Sequence, residues 1–165
     1  MKTIDLGEIK LSSRIKITDP CYLAEEWCCN EAYILPGIYK CEAVEKYCGD
    51  WGNRISELRI RHIDYPDVMC LEIFPWSVEV DSGQAGFFDD AFYQNDTVFE
   101  ELPAPGFAIG DLWYRHVCDI TLSKMSAGVL PYGAVSSSGF GDGGYTCYTH
   151  ADENGVIDFA FIVFI

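Results

Sequence analysis

Ile157-Asp158-Phe159-Ala160-Phe161-Ile162-Val163-Phe164-Ile165 is apolar at every position but one, and it follows the turn-forming run Asp152-Glu153-Asn154-Gly155. β-Branched and aromatic residues in a short run bounded by such a turn predict a strand, and the turn predicts a hairpin with the preceding run 145–150. Because both faces of the closing run are apolar apart from Asp158, it is expected to be a central strand covered on each side. Removing even its last five residues is expected to cost the fold.

Working outward, the runs 37–47 and 54–63 are rich in β-formers and flank Cys48-Gly49-Asp50-Trp51-Gly52-Asn53, a second hairpin. Runs 4–11 and 14–18 read as two strands joined at Ser12-Ser13, and 84–88 and 134–138 as two more. Runs 68–74 and 76–80 are also strand-like, with Pro75 confining them to an edge or a bulge. Two segments read as helices. Residues 23–32 suit a short one ended by Pro36-Gly37, and 111–122 places Leu112, Trp113, His116, Val117 and Ile120 at helical spacing, although a strand there also fits. The expected fold is mainly β, α+β at the margin: an antiparallel β-sandwich or open barrel with one or two covering helices, forming a single domain over 1–165.

A chain of 165 residues with 49% hydrophobic and 15% aromatic side chains has a globular composition. Its 26 carboxylates against 11 Lys and Arg give a net charge of −15. The excess is local: residues 64–101 hold ten carboxylates and no Lys or Arg. Such a field disfavours non-specific nucleic-acid or anionic-membrane binding and favours a cation or a basic protein partner. It also reads simply as charge that keeps the chain in solution. No run reaches the ~20 apolar residues of a membrane helix and the first residues do not form a signal peptide, so a cytoplasmic protein with reduced thiols is expected. The eight Cys contain no CxxC pair and the three His show no ligand spacing, so no zinc site is expected and most of the Cys read as small buried hydrophobes.

Three loops carry the residues with chemistry. In Ile17-Thr18-Asp19-Pro20-Cys21-Tyr22, Pro20 holds Asp19 extended. The carboxylate either bonds forward to backbone N–H groups or sits beside an accessible Cys21 thiol, which it would keep protonated and poorly nucleophilic. In the second loop, Val80-Asp81-Ser82-Gly83-Gln84 with Asp89 and Asp90, the carboxylates, hydroxyl and amide could serve Mg²⁺ or Ca²⁺, with Asp81, Asp89 and Asp142 as ligands. The spacing is not that of an EF-hand, and Asp-Ser-Gly also reads as a β-turn. The third loop, Ser136-Ser137-Ser138-Gly139-Phe140-Gly141-Asp142-Gly143-Gly144-Tyr145, contains GxGxxG. A strand follows it and not a helix, so the dinucleotide fingerprint does not apply. It reads either as a glycine hairpin or as a nest of N–H groups for an anion, with Asp142 arguing equally for a cation or a polar ligand.

These three segments, residues 17–22, 80–84 with Asp89, and 137–145, together resemble a group of hypothetical proteins from bacteria and their phages. The resemblance implies a small intracellular, phage-encoded protein whose three loops form one unit, and it carries over no catalytic residue. On this basis the ligand-binding set is expected to be Asp19, Cys21, Tyr22, Asp81, Ser82, Gln84, Ser138, Phe140, Asp142, Gly143 and Tyr145. The function expected is binding without catalysis of a small polar ligand, a nucleotide signal sequestered by a phage-type anti-defence protein. One alternative is a metal-assisted hydrolase or phosphodiesterase using Asp81, Asp89, Asp90 or Asp142 with His150. The other is an acidic inhibitor or immunity protein that meets a basic partner through residues 64–101. No GxSxG, HExxH or Cys/His signature names a reaction.

Overall fold

The computed structural model describes residues 1–67 and 70–165. In chain order its strands are β1 (Lys2–Leu11), β2 (Arg14–Thr18), β3 (Asn30–Tyr33), β4 (Gly37–Tyr47), β5 (Asn53–His62), β6 (Glu72–Ile73), β7 (Val78–Val80) and β8 (Gln84–Asp89). The helix α1 (Asp111–Thr121) follows, then β9 (Ala127–Leu130), β10 (Gly133–Ser137), β11 (Gly143–Ala151) and β12 (Ile157–Val163). They form a β-sandwich. One sheet runs β1-β4-β5-β12-β11-β6, with β7 also paired to β11, and the other runs β3-β2-β8-β10-β9. All the strand pairings described are antiparallel.

The main core lies between the sheets. Tyr39, Cys41, Leu58, Ile60, Cys147, Ala160 and Ile162 point inward from the first sheet and meet Ile15, Ile17, Ala85, Phe87 and Ala134 of the second. Each large side chain removed from water there contributes roughly 1.5–3 kcal/mol. A second core forms on the far side of β8 and β10, where Phe88 and Val135 pack under Trp113 and Val117 of α1. All six residues of β8 are therefore buried. The fit is close at Gly86, where a Cβ would stand 2.3 Å from the Ala134 carbonyl oxygen and 2.6 Å from the Phe88 ring.

α1 forms where the helical spacing of its apolar residues predicts it, and it buries Leu112, Trp113 and Val117. Its first turn is held by Asp96, whose carboxylate accepts the N–H groups of Gly110 at 2.8 Å and Trp113 at 2.9 Å. A carboxylate at a helix N-terminus satisfies orphan donors and complements the dipole.

Three expectations need correction. Residues 23–32 do not form a helix. Two turns, with Glu26 N–H bonded to Leu23 O and Cys29 N–H to Glu26 O, lead into β3, which is captured by β2. Pairing of Glu31 with Arg14 and Lys16 across those strands outweighs weak local helicity. β1 and β2 form as expected, and Ser12 and Ser13 carry the chain from one sheet to the other. β12 is central in its sheet but covered on one side only. Ala160 and Ile162 are buried, while Phe159, Phe161 and Val163 on the outer face are half-buried. The strand covered on both sides is β8. Of the expected run 68–74, Glu72–Ile73 forms β6, and residues 68 and 69 lie outside the described residues. No helix described is long and apolar enough to cross a membrane.

Candidate functional site

Asp19 is fully buried, and its carboxylate is the knot between two of the three loops. Oδ1 accepts the Cys21 N–H at 2.8 Å and the Ser82 hydroxyl at 2.6 Å, and Oδ2 accepts the N–H groups of Asp81 at 2.9 Å and Ser82 at 2.6 Å. Tyr22 donates its hydroxyl to Asp81 at 2.8 Å. The third loop joins through the bond from the Ser138 N–H to the Gly83 carbonyl at 3.0 Å and through the ladder pairs Ser137 with Gln84 and Gly143 with Val80. The three loops thus meet in one unit.

A cleft of about 220 Å³ opens beside Pro20, Cys21, Gln94 and Tyr114, but most polar groups of the unit are already engaged. Four donors already occupy Asp19, so it acts as a buried latch. Burial first, and then Asp19, push the Cys21 thiol up to about 12, as its carboxylate neighbour led us to expect. Gln84 is sealed beneath α1, bonded to Tyr114, Cys118 and Thr121. In the glycine loop the Tyr145 hydroxyl donates to the carbonyls of Ser138 at 3.0 Å and Gly141 at 2.6 Å, and the Ser138 hydroxyl also donates to Gly141 at 2.7 Å. The loop is a corner between the sheets, not the expected hairpin, because β10 and β11 belong to different sheets. Phe140 meets Trp51 edge to face, with ring centroids 5.7 Å apart.

The expected cation ligands do not assemble. Asp81 and Asp142 follow the last ladder pair, Val80 with Gly143, so they stand at one end of the sheet with Gly143 between β11 and the loop. Asp89 lies at the other end of β8, and six strand residues put about 17 Å between it and Gln84. Its carboxylate accepts the Ser12 N–H and hydroxyl and the Ala91 N–H. Asp90 serves Lys16, 3.1 Å away. Burial pulls the Lys16 ammonium down, but bonds to Glu31 and Asp90 win and hold its pKa above the ordinary value. His150 meets none of these acids: its Nδ1 lies 2.5 Å from Oδ1 of Asp158, and both residues are buried. Among the described residues no three His, Cys, Asp or Glu side chains are placed to hold a metal.

A different cleft, of about 270 Å³, opens on the outer face of the first sheet between Lys40, Glu42, Arg59, Arg61, Tyr65, Asp67, Leu71 and Phe159. Register builds it. Lys40 stands opposite Arg61, and Arg61 opposite Phe159; Glu42 stands opposite Arg59, and Arg59 opposite Phe161. Two cross-strand rows result, each running from charged to aromatic. Tyr65 lies 5.0 Å from Phe159 at a 32° tilt, Phe161 stacks on Tyr148 at 5.2 Å, and the Arg59 guanidinium sits 5.9 Å from the Phe161 ring. Arg59 is also paired with Glu57 at 2.6 Å, whereas Lys40 and Arg61 have no carboxylate within ion-pair distance among the described residues. Like charges directly opposite each other on a sheet repel. On its other side Lys40 faces Glu8 of β1, so the row reads Glu8, Lys40, Arg61, Phe159, and Arg61 is the cation set between a second cation and a ring.

None of Lys40, Arg59, Arg61, Tyr65 and Phe159 is among the site residues expected from the sequence. The available signal was the hairpin itself, since alternation along 37–47 and 54–63 puts Lys40, Glu42, Arg59 and Arg61 on one face. No family model, curated protein or solved structure matches the chain.

Proposed function

We propose that the protein binds a mononucleotide-class ligand, without turning it over, in the cleft between Lys40, Arg61, Tyr65 and Phe159. The observation that supports this reading is the facing pair of cations beside the tilted Tyr65–Phe159 rings. A phosphate would relieve the repulsion between Lys40 and Arg61, and Arg61 offers the fork that phosphate oxygens accept. A base stacked on the aromatic pair gains roughly 1–3 kcal/mol. The carboxylates of Glu42 and Asp67 are acceptors for ribose hydroxyls or an exocyclic amine. A volume of about 270 Å³ suits one nucleotide, and the net charge of −15 disfavours a polymer. Sequestration of a signalling nucleotide, the role expected of a phage-type protein, needs only such binding.

A thermal-shift and calorimetric panel of linear and cyclic nucleoside monophosphates tests the proposal. At a ligand concentration of 100 times Kd, stabilisation of about 2.7 kcal/mol is expected, with the nucleotide recovered intact. Binding should be lost in Lys40→Gln and Arg61→Gln and kept in Asp142→Asn. No shift at millimolar nucleotide, or a shift unchanged in both cation variants, overturns it.

A further inference from the structure

A second groove, sharing no lining residue with the first, lies between Trp27 and Trp76 and has a volume of about 530 Å³. The two indoles are 86% and 63% exposed. Cys29, Asn30, Glu31, Ser77 and Glu79 complete the lining, and the Asn30 amide clamps its base by donating to the Ser77 carbonyl at 2.8 Å. Large aromatic rings held out in water on both sides of one groove mark a recognition surface.

Charge defines what fits. The segment 22–31, which supplies Trp27, and the segment 64–101, which supplies Trp76, contain no Lys or Arg. Arg14 and Lys16, reaching over from β2, are already neutralised by Glu31 and Asp90. Glu79 has no ion-pair partner among the described residues, and Glu25, Glu26 and Glu72 are exposed on the same two segments. Indole faces attract cations through the ring quadrupole, and a neighbouring carboxylate adds to that attraction. We infer that the groove docks a basic segment of a protein partner, which inserts a Lys or Arg side chain between Trp27 and Trp76 with Glu79 as its counter-charge. The acidic flanks fit an extended run of basic residues better than a small isolated cation.

The test uses the intact protein and two synthetic peptides, an Arg- and Lys-rich decamer and a Glu-rich decamer of the same length. Binding is followed by indole fluorescence and by calorimetry at 150 mM salt. The basic peptide should bind and the acidic one should not. Trp27→Ala and Trp76→Ala, which leave the charge unchanged, should each weaken binding at least tenfold, and Glu79→Gln about fivefold. Asp119→Asn with Glu153→Gln should change it less than twofold. Both indoles are exposed, so unchanged melting temperatures should show that the variants fold. Equal weakening by tryptophan and remote carboxylate variants would reduce the effect to net charge and overturn the inference. So would wild-type affinity in both tryptophan variants, self-association that buries the groove, or binding of neutral oligosaccharides in place of the peptide.

Discussion

Asp19 takes both the hydroxyl and the amide of Ser82, each at 2.6 Å, across 63 residues of chain. The bond pair welds the end of β2 to the turn before β8 through a fully buried carboxylate. Asp19→Ala would strand three backbone N–H groups and one hydroxyl. Loss of charge-assisted bonds at a buried acceptor predicts destabilisation of about 3 kcal/mol or more in urea unfolding. Ser82→Ala, which removes one donor, should cost about 1 kcal/mol.

The Lys40–Arg61 pair predicts the opposite sign. Neutralising Arg61 removes a cross-strand repulsion, so Arg61→Gln should leave the unliganded protein within about 0.5 kcal/mol of wild type, or slightly stabilised. The same variant should abolish nucleotide-induced stabilisation. A fall in intrinsic stability comparable to that of Asp19→Ala would mean that Arg61 is a structural residue.

Burial pushes the thiols of Cys41 and Cys147 up to about 12 from an ordinary value near 9. A raised pKa means the folded state favours the protonated form. The resulting stabilisation is fully present below about pH 9 and is lost as pH rises from there towards about 12. Between those values stability should fall by up to about 1.4 kcal/mol per pH unit for each of these two thiols. At pH 8 a thiol reagent should modify the exposed Cys70 rapidly, and Cys41 and Cys147 only at the unfolding rate. Rapid modification of all eight would contradict the buried placement.

Gly86 marks the closest approach in the second sheet. A methyl group there meets the Ala134 carbonyl at 2.3 Å, so Gly86→Ala should destabilise by about 3 kcal/mol, seen as a lower urea midpoint. Gly83→Ala faces open space and strains only a backbone angle of φ +71°, which should cost about 1 kcal/mol.

The strands were legible where turn chemistry and alternation agreed. Residues 37–47 and 54–63 flank a dense turn and pair as expected, and 111–122 has helical spacing and is a helix. Sheet membership was not legible, because a sequence shows that a run is extended but not which neighbour captures it. That is why the glycine loop read as a hairpin and proves to be a corner, and why nothing in Ser12-Ser13 showed that the chain changes sheets there. The meeting of the three loops was visible as an expectation, but its chemistry was not. Whether Asp19 is a ligand or a latch depends on how many N–H groups point at it, and those of Asp81 and Ser82 come from more than sixty positions away. Asp89 misled for the same reason, since its partner Ser12 lies 77 residues off. The segment 23–32 failed because long-range pairing with β2 overrode local propensity.

β12, drawn from the last residues of the chain, sits between β5 and β11 at the middle of the first sheet. During synthesis the β4–β5 hairpin can close early, but the inner edge of β5 stays unpaired for about another hundred residues. Until β12 arrives, that edge is a row of open hydrogen-bonding groups beside Ile60 and Leu58, the kind of template that recruits other chains. Pairing of β5 with β12 is therefore long-range and slow to form, and the nascent protein has most to gain from a chaperone in the interval before β12 emerges.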